Sequence, residues 1–387
     1  MGHSLFFLRL LFQIIYYIVI PMSTKDVIIH TAPMPIIEVT GSHREIGRQI
    51  GEATRAQVEH SLVDAHMMID QAYEQLGLDW EGANIQARKY LPFAEETYPE
   101  YMDEIRGIAE GAKVKFDDLV VLNALEAVAT DALHLTKCTS IGVDECHTAN
   151  KHVLLAHNED WLPEDEPDAY LVRAKVDGEP PWLAMTYGGL LPNIGLNAEG
   201  IGHCCDSVYP SDIRIGIPRV INSRAVLAAS TISEAIRHMT IPLRAAGYNH
   251  MLGHASGELY NVEVSARQFA INYADDGYIV HTNHFLDKEM QMIETDPDAL
   301  ISTRVRFFRA KRLLCQTDRH THESLQTILR DHVNLPDSIC NHDMDEVDPR
   351  DREKTINSLI MDLNERTISI AWGSPCKNEY HSYGLDG

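Results

Sequence analysis

The feature that most constrains this chain is a change of texture at residue 138. Upstream, apolar residues recur at helical spacing. Downstream, short apolar or alternating runs follow one another between turn-forming residues. Ser42-His43-Arg44-Glu45 has the form of a capping box, and Ile46, Ile50, Val58 and Leu62 continue it at helical spacing. This pattern predicts a helix that runs past Met68 to about Gln75, with Gly77 as its stop. Further helical signal covers 86–110, broken near Pro92 and Pro99, and 117–129. From Cys138 onward CTSIGV, HVLLAHN, YLVRAKV, WLAMTY and IGLN read as strands, and Asn197-Ala198-Glu199-Gly200 reads as a hairpin turn into IGHCCDSV. A helix is expected at 220–239, then strands YNHMLGHA, ELYNVEV, QFAINYA and YIVHTN. Helices near 302–314 and 322–331 come next, and strands NSLIMDL and TISIAWG close the chain. Helices, then consecutive strands, then helices between strands predict an α+β layered architecture, an antiparallel sheet with helices packed outside.

The 387 residues suffice for one large domain or two smaller ones, and 44% hydrophobic residues allow a sizeable core. A net charge of −24 argues against binding a phosphate backbone, which rewards clustered Lys and Arg. No G-x-G-x-x-G follows a strand and there is no P-loop, so no nucleotide cofactor is expected. The seven cysteines are odd in number and irregular in spacing, which fits a reducing, cytoplasmic setting better than a disulfide framework. His203-Cys204-Cys205 has no second ligand pair at zinc spacing, so it reads as buried cysteine on a strand, and no metal is expected. Residues 5–20 are apolar but interrupted by Arg9 and Gln13, short for a span, and without an A-x-A cleavage site. They read either as a membrane anchor or, because Met22-Ser23-Thr24-Lys25 resembles a second start, as an upstream extension. Residues 1–22 are therefore set aside from the fold.

Four motifs carry possible chemistry. Cys138, on its own, is ordinarily a small buried hydrophobe. Its place, opening the first strand and followed by Thr139 and Ser140, gives it a second reading. If the Lys137–Cys138 bond were cut, the thiol would be a nucleophile and its own α-amine the general base. The unperturbed pKa of an α-amine, about 7.7–8.0, suits that role near neutrality. The same thiol can make the cut by attacking the Lys137 carbonyl, with Ser140 assisting. In HNEDW (157–161) Asp160 is either a turn residue or an electrostatic partner of the nucleophile. In HTNHF (281–285) Asn283 is either a satisfied strand-end amide or an oxyanion donor, and His284 reads as a hydrogen-bonded histidine. In STRVRFFRAKR (302–312) most cations belong to a solvated face, and Arg304 is the one expected to point into the site.

Taken in order, these motifs resemble the penicillin acyltransferase-like family of N-terminal-nucleophile cysteine hydrolases, which includes acyl-CoA:6-aminopenicillanic acid acyltransferase. GSHREIGRQIGE, EIRGIAEGA, LNALEA, the run from YGGLLPNIGLN through HCCDS, AAGYNH and GSPCKNEYHSY extend the resemblance over nearly everything after residue 36. It implies a four-layer αββα sandwich and a precursor that cleaves itself before the nucleophile. On this chain that gives a mostly helical α-chain region, 23–137, and a β-chain region, 138–387, forming one catalytic domain over 23–387. It implies Cys138 as nucleophile, Ser140 as the hydroxyl that assists processing, Asp160 as supporting acid, Asn283 on the oxyanion side and Arg304 nearby. Where the family often has Gly before the cysteine, this chain has Lys137.

The expectation is a self-processing amide hydrolase or acyltransferase that acts on small N-acylated amines or amino acids, or on an acyl thioester, with no cofactor. The alternatives are a β-alanyl-amine hydrolase, a bile-salt-type linear amide hydrolase, or a catalytically silent binding protein on the same fold. Nucleic acid is not expected as a partner, and membrane only through residues 5–20.

Overall fold

A computed structural model describes residues 29–71, 73, 77–125, 128, 137–295, 300–344 and 352–387. The leader and the expected helix ends at Gln75 and Ala129 lie outside the described residues. Among the described residues no helix is long and apolar enough to cross a membrane.

The capping box forms: the Ser42 hydroxyl accepts from the Glu45 N–H, and the Glu45 carboxylate accepts from the Ser42 N–H at 2.9 Å. The long helix expected from there is two helices, α1 (His43–Ala53) and α2 (Arg55–Gln71), separated at Thr54. They are followed by α3 (Trp80–Ala87), α4 (Leu91–Thr97), α5 (Pro99–Ala112) and α6 (Phe116–Asn123). Helices α1 and α5 meet almost backbone to backbone. A Cβ on Gly47 would lie 2.1 Å from the Glu104 carbonyl oxygen, so the glycines of EIGRQIGE and EIRGIAEGA are required by contact.

The strands form two sheets. The larger has eight strands in the order β1 (Ile36–Gly41), β4 (Ala169–Val176), β5 (Trp182–Tyr187), β6 (Ile194–Asn197), β7 (Ile201–Asp206), β8 (Tyr248–His254), β9 (Leu259–Val264) and β10 (Phe269–Tyr273). The smaller runs β11 (Tyr278–His281), β2 (Lys137–Val143), β3 (Leu154–Trp161), β12 (Lys354–Asp362), β13 (Thr367–Trp372) and β14 (Tyr380–Gly384). All pairings are antiparallel except that of β1 with β4. Strand β1, unexpected from the sequence, precedes the nucleophile candidate and pairs with a strand that follows it. The region before Cys138 thus adds an edge strand to a sheet otherwise built from the region after it.

Leu155, Leu359 and Met361 of the smaller sheet pack against Leu171, Leu183 and Met251 of the larger. The first helices pack on the far face of the large sheet through Tyr170, Val172 and Trp182. Helices α9 (Ile301–Leu314) and α10 (His322–Leu329) pack on the far face of the small one through Ile141, Val143, Ala156 and Ile360. The result is a four-layer αββα sandwich. Strands β3 and β12 are buried along their whole length, which is why their apolar runs do not alternate cleanly with polar residues. The helix expected over 220–239 is broken into α7 (Arg219–Leu227) and α8 (Ile232–Met239) by an N-cap at Thr231.

Candidate active site

Strand β2 opens at Lys137, and Cys138 sits at its first inward-facing position, 3% exposed. The β2–β3 register places Cys138 opposite Glu159, Ser140 opposite His157 and Lys137 opposite Asp160. Because side chains alternate across a strand, the first two pairs face the space between the sheets and the third faces the helices.

On the inner face the groups form a continuous chain. Glu159 Oε2 lies 4.0 Å from Cys138 Sγ and 2.8 Å from His157 Nε2. His157 Nδ1 is 2.9 Å from Ser140 Oγ, which donates to Asp206 Oδ1 at 2.7 Å. Asp206 Oδ2 lies 3.3 Å from His281 Nδ1, and His281 Nε2 is 2.9 Å from Glu263 Oε1. All these residues are buried. Burial, then the carboxylates Glu159, Asp206 and Asp160, push the Cys138 thiol well above its ordinary range, so the uncleaved chain holds it protonated. His281, between two carboxylates, is raised to about 9 against the cost of its own burial.

The backbone of Cys138 is held by other groups. Its N–H donates to Asn283 Oδ1 at 2.7 Å, and Arg306 Nη2 donates to the same oxygen at 2.8 Å. Since both partners only donate, the orientation of the Asn283 amide is fixed, and its Nδ2 donates to the Ser207 carbonyl at 3.1 Å. Arg306 Nη1 also donates to the Cys138 carbonyl, and to Thr139 Oγ1 at 3.1 Å. Asp160 accepts from Thr355 Oγ1 at 2.5 Å while its Oδ2 is buried with no hydrogen bond among the described residues. Burial, opposed by Arg306, lifts its carboxyl to about 8. Lys137 forms an ion pair with Glu353, so the long side chain before the cysteine has a seat.

Of the residues singled out in the sequence, the structure brings Cys138, Ser140, Asp160 and Asn283 together. Asp160 lies on the face away from the thiol, opposite Lys137 in register. The expected arginine is displaced by two positions: Arg304 is half exposed and lies 3.8 Å from Glu294, whereas Arg306 is 1% exposed and reaches the site. Residues two positions apart on a helix point about 200° away from one another, so only one of Arg304 and Arg306 can face the sheet. Sequence reasoning missed Arg306, Glu159, His157 and Asp206. The signal for Glu159 and His157 was present in HNEDW, whose alternation puts them on one face, but the face needs the strand register. His203 and Cys205 are buried on β7, and β8 brings His250 to 2.8 Å from His203.

A cleft enclosing about 920 Å³ of space, its open mouth included, is lined in part by Cys138. Apolar groups dominate its wall, among them Met68, Leu122, Leu125, Trp161, Leu190 and Tyr248. Its charged lining residues, among those described, are Asp64, Glu159 and Asp165 against Arg219. Burial, and then Asp64, raise Asp165 to about 7; burial also raises Asp64, whose Oδ2 makes no hydrogen bond among the described residues. Arg219 is lowered to about 10 by burial, stacks 4.1 Å from the Tyr248 ring centre and donates to Ser207 Oγ at 2.7 Å.

Two relatives align along most of the chain. One is a β-alanyl-dopamine/carcinine hydrolase of Drosophila melanogaster, 24% identical over 93% of this chain and 98% of the relative. The other is the 40 kDa form of the acyl-coenzyme A:6-aminopenicillanic-acid acyltransferase of Emericella nidulans, 25% identical over 87% of this chain and 91% of the relative. Among solved structures, a penicillin V acylase from Agrobacterium tumefaciens overlaps 61% of this chain and 83% of its own at 14% identity and a TM-score of 0.43, a likeness too remote to bear on activity. A family model matches residues 146–377, more than half of the chain, beginning just after the Cys138 strand. The chain belongs to the acyl-coenzyme A:6-aminopenicillanic acid acyl-transferase family.

Proposed function

We propose that this protein is a self-processing amide hydrolase or acyltransferase whose nucleophile is Cys138. The observation that carries the reading is the clamp on Cys138 in the wall of the cleft: Asn283 Oδ1 holds its nitrogen at 2.7 Å and Arg306 its carbonyl. In the uncleaved chain that nitrogen is an amide and cannot act as base. Glu159, backed by His157, then takes the thiol proton, and the sulfur attacks the Lys137 carbonyl. The C–N bond breaks as the proton passes to the departing nitrogen, leaving a thioester that water hydrolyses. The freed α-amine stays within reach of Asn283 Oδ1 and now serves as the base. Attack on a substrate amide releases its amine and leaves a thioester on Cys138, which water or an acceptor amine resolves. No step calls for a redox group. The reading is tested by quenching turnover of an amide substrate in acid and mapping the acyl mass. An adduct on a peptide that starts at Cys138 supports it; a steady-state adduct on another residue rejects it.

The acidic wall favours a second, finer reading of the substrate. Burial raises the carboxyls of Asp64 and Asp165 in this mostly apolar cleft, and His60, 3.6 Å from Asp64, offsets that only in part, so a cation in the cleft would stabilise both. A substrate with an ammonium at one end supplies that cation, as a β-alanyl amide does, whereas an N-acyl amino acid would bring a further carboxylate. The preference should appear as a higher kcat/KM for β-alanyl amides than for the matching propionyl amides, lost in Asp64→Asn.

A further inference from the structure

Outside the cleft, four side chains from two loops converge on one point. His332 follows α10, Cys340 and His342 lie in the irregular segment before β12, and Cys376 lies in the loop between β13 and β14. Their ligand atoms all lie within 4.8 Å of one another. His342 Nε2 is 3.0 Å from His332 Nε2 and 3.5 Å from each of Cys340 Sγ and Cys376 Sγ. One imidazole nitrogen carries at most one proton or one lone pair, so it cannot satisfy three such neighbours by hydrogen bonding. A cation at the centre can. A tetrahedral ion with Zn–S about 2.3 Å and Zn–N about 2.0–2.1 Å has edges of roughly 3.3 to 3.8 Å, close to the spacing found.

We propose that His332, Cys340, His342 and Cys376 form a structural Cys₂His₂ site for a zinc-class divalent ion. All four positions are filled by protein, which marks a closed, non-catalytic site. Soft thiolates with imidazoles select zinc over magnesium or calcium, which take oxygen ligands. The sequence hid the site because the usual paired spacing is absent and Cys376 comes from a different loop than the other three.

The site has a defined place in the fold. It joins the segment after α10 to the 374–378 loop, which Arg330 already bridges by donating to the Pro375 carbonyl at 2.8 Å. Asn341, between two of the ligands, binds Thr355 in both directions: its N–H donates to Thr355 Oγ1 at 2.9 Å, and its carbonyl accepts the Thr355 N–H at 3.1 Å. Thr355 in turn seats Asp160. The ion would therefore lock the outer support of the strand pair that carries Cys138.

The full chain, expressed with zinc supplied and freed of loose metal by gel filtration, is expected to hold about one tightly bound zinc per chain. Cys340→Ser and Cys376→Ser should each lose it, while Cys146→Ser and Cys315→Ser, at exposed cysteines, should keep it. Replacement by cobalt in the wild-type chain should give tetrahedral bands with thiolate-to-cobalt charge transfer, a readout that does not depend on any variant folding. Wild-type protein without stoichiometric metal and without the cobalt spectrum overturns the proposal. So does a native chain two hydrogens lighter, with Cys340 and Cys376 joined as a disulfide. Zinc retained in both Cys340→Ser and Cys376→Ser overturns it as well.

Discussion

On the inner face of β2 and β3 stand Cys138, Ser140, His157 and Glu159, joined to Asp206 and His281 in a buried chain of titratable groups. On the outer face of the same strands stand Thr139, Asn158 and Asp160, held by Arg306, Thr355 and the carbonyls of Leu329 and Ile339. In the proposed mechanism the inner face moves protons, while the outer face fixes backbone. Asn283 and Arg306 belong to the second kind although they touch Cys138, because they grip its nitrogen and carbonyl and leave its sulfur to Glu159. One strand thus turns Cys138 toward the cleft while its other side is anchored by groups that hold the backbone.

The sharpest way to break this division is Glu159→Gln. It should slow self-cleavage by about 10²- to 10⁴-fold, the usual worth of a positioned base. Turnover per cleaved molecule should fall much less, because the α-amine has taken over the role. Equal losses in both would show Glu159 serving both steps and dissolve the distinction. Next in size is Arg306→Lys, which keeps the charge but loses the fork that reaches Asn283 and the Cys138 carbonyl together. Cleavage should slow by about 100-fold through misplacement of the reacting atoms. Arg304→Ala on the same helix should leave the rate within about twofold, since an exposed pair is worth little. A reversed order would return the role to Arg304.

A smaller effect probes the inner chain by pH. The His281 pKa is raised to about 9 from an unfolded value of 6.5, so its stabilisation is full below the lower value and lost as pH rises through the higher. In denaturant titrations His281→Gln should be destabilised most at low pH. The gap to wild type should narrow by about 3 kcal/mol between pH 6 and pH 10. A gap independent of pH would mean that His281 is neutral.

Much of the architecture was legible because its signals are local. The capping box at Ser42 and the alternation of the strands after Cys138 each act within a few residues. The split at Thr54 was not legible, since one broken turn leaves the apolar spacing nearly intact. Strand β1 was missed because its partner β4 lies beyond Cys138, 135 positions on from Ile36 in register with Leu171. At the site the sequence offered Cys138, Ser140, Asp160 and Asn283 through motif resemblance. Arg306 and Glu159 needed a helix phase and a strand register, which sequence spacing leaves open. The Cys₂His₂ cluster needed two loops to be folded together.

The central claim is that Cys138 becomes an N-terminus. It is tested most directly by intact mass of the freshly purified protein under denaturing conditions, beside a Cys138→Ala variant. The account predicts two fragments in the wild type, the larger beginning at Cys138, and a single full-length chain in the variant. A full-length wild-type chain that nonetheless turns over an amide substrate would contradict it.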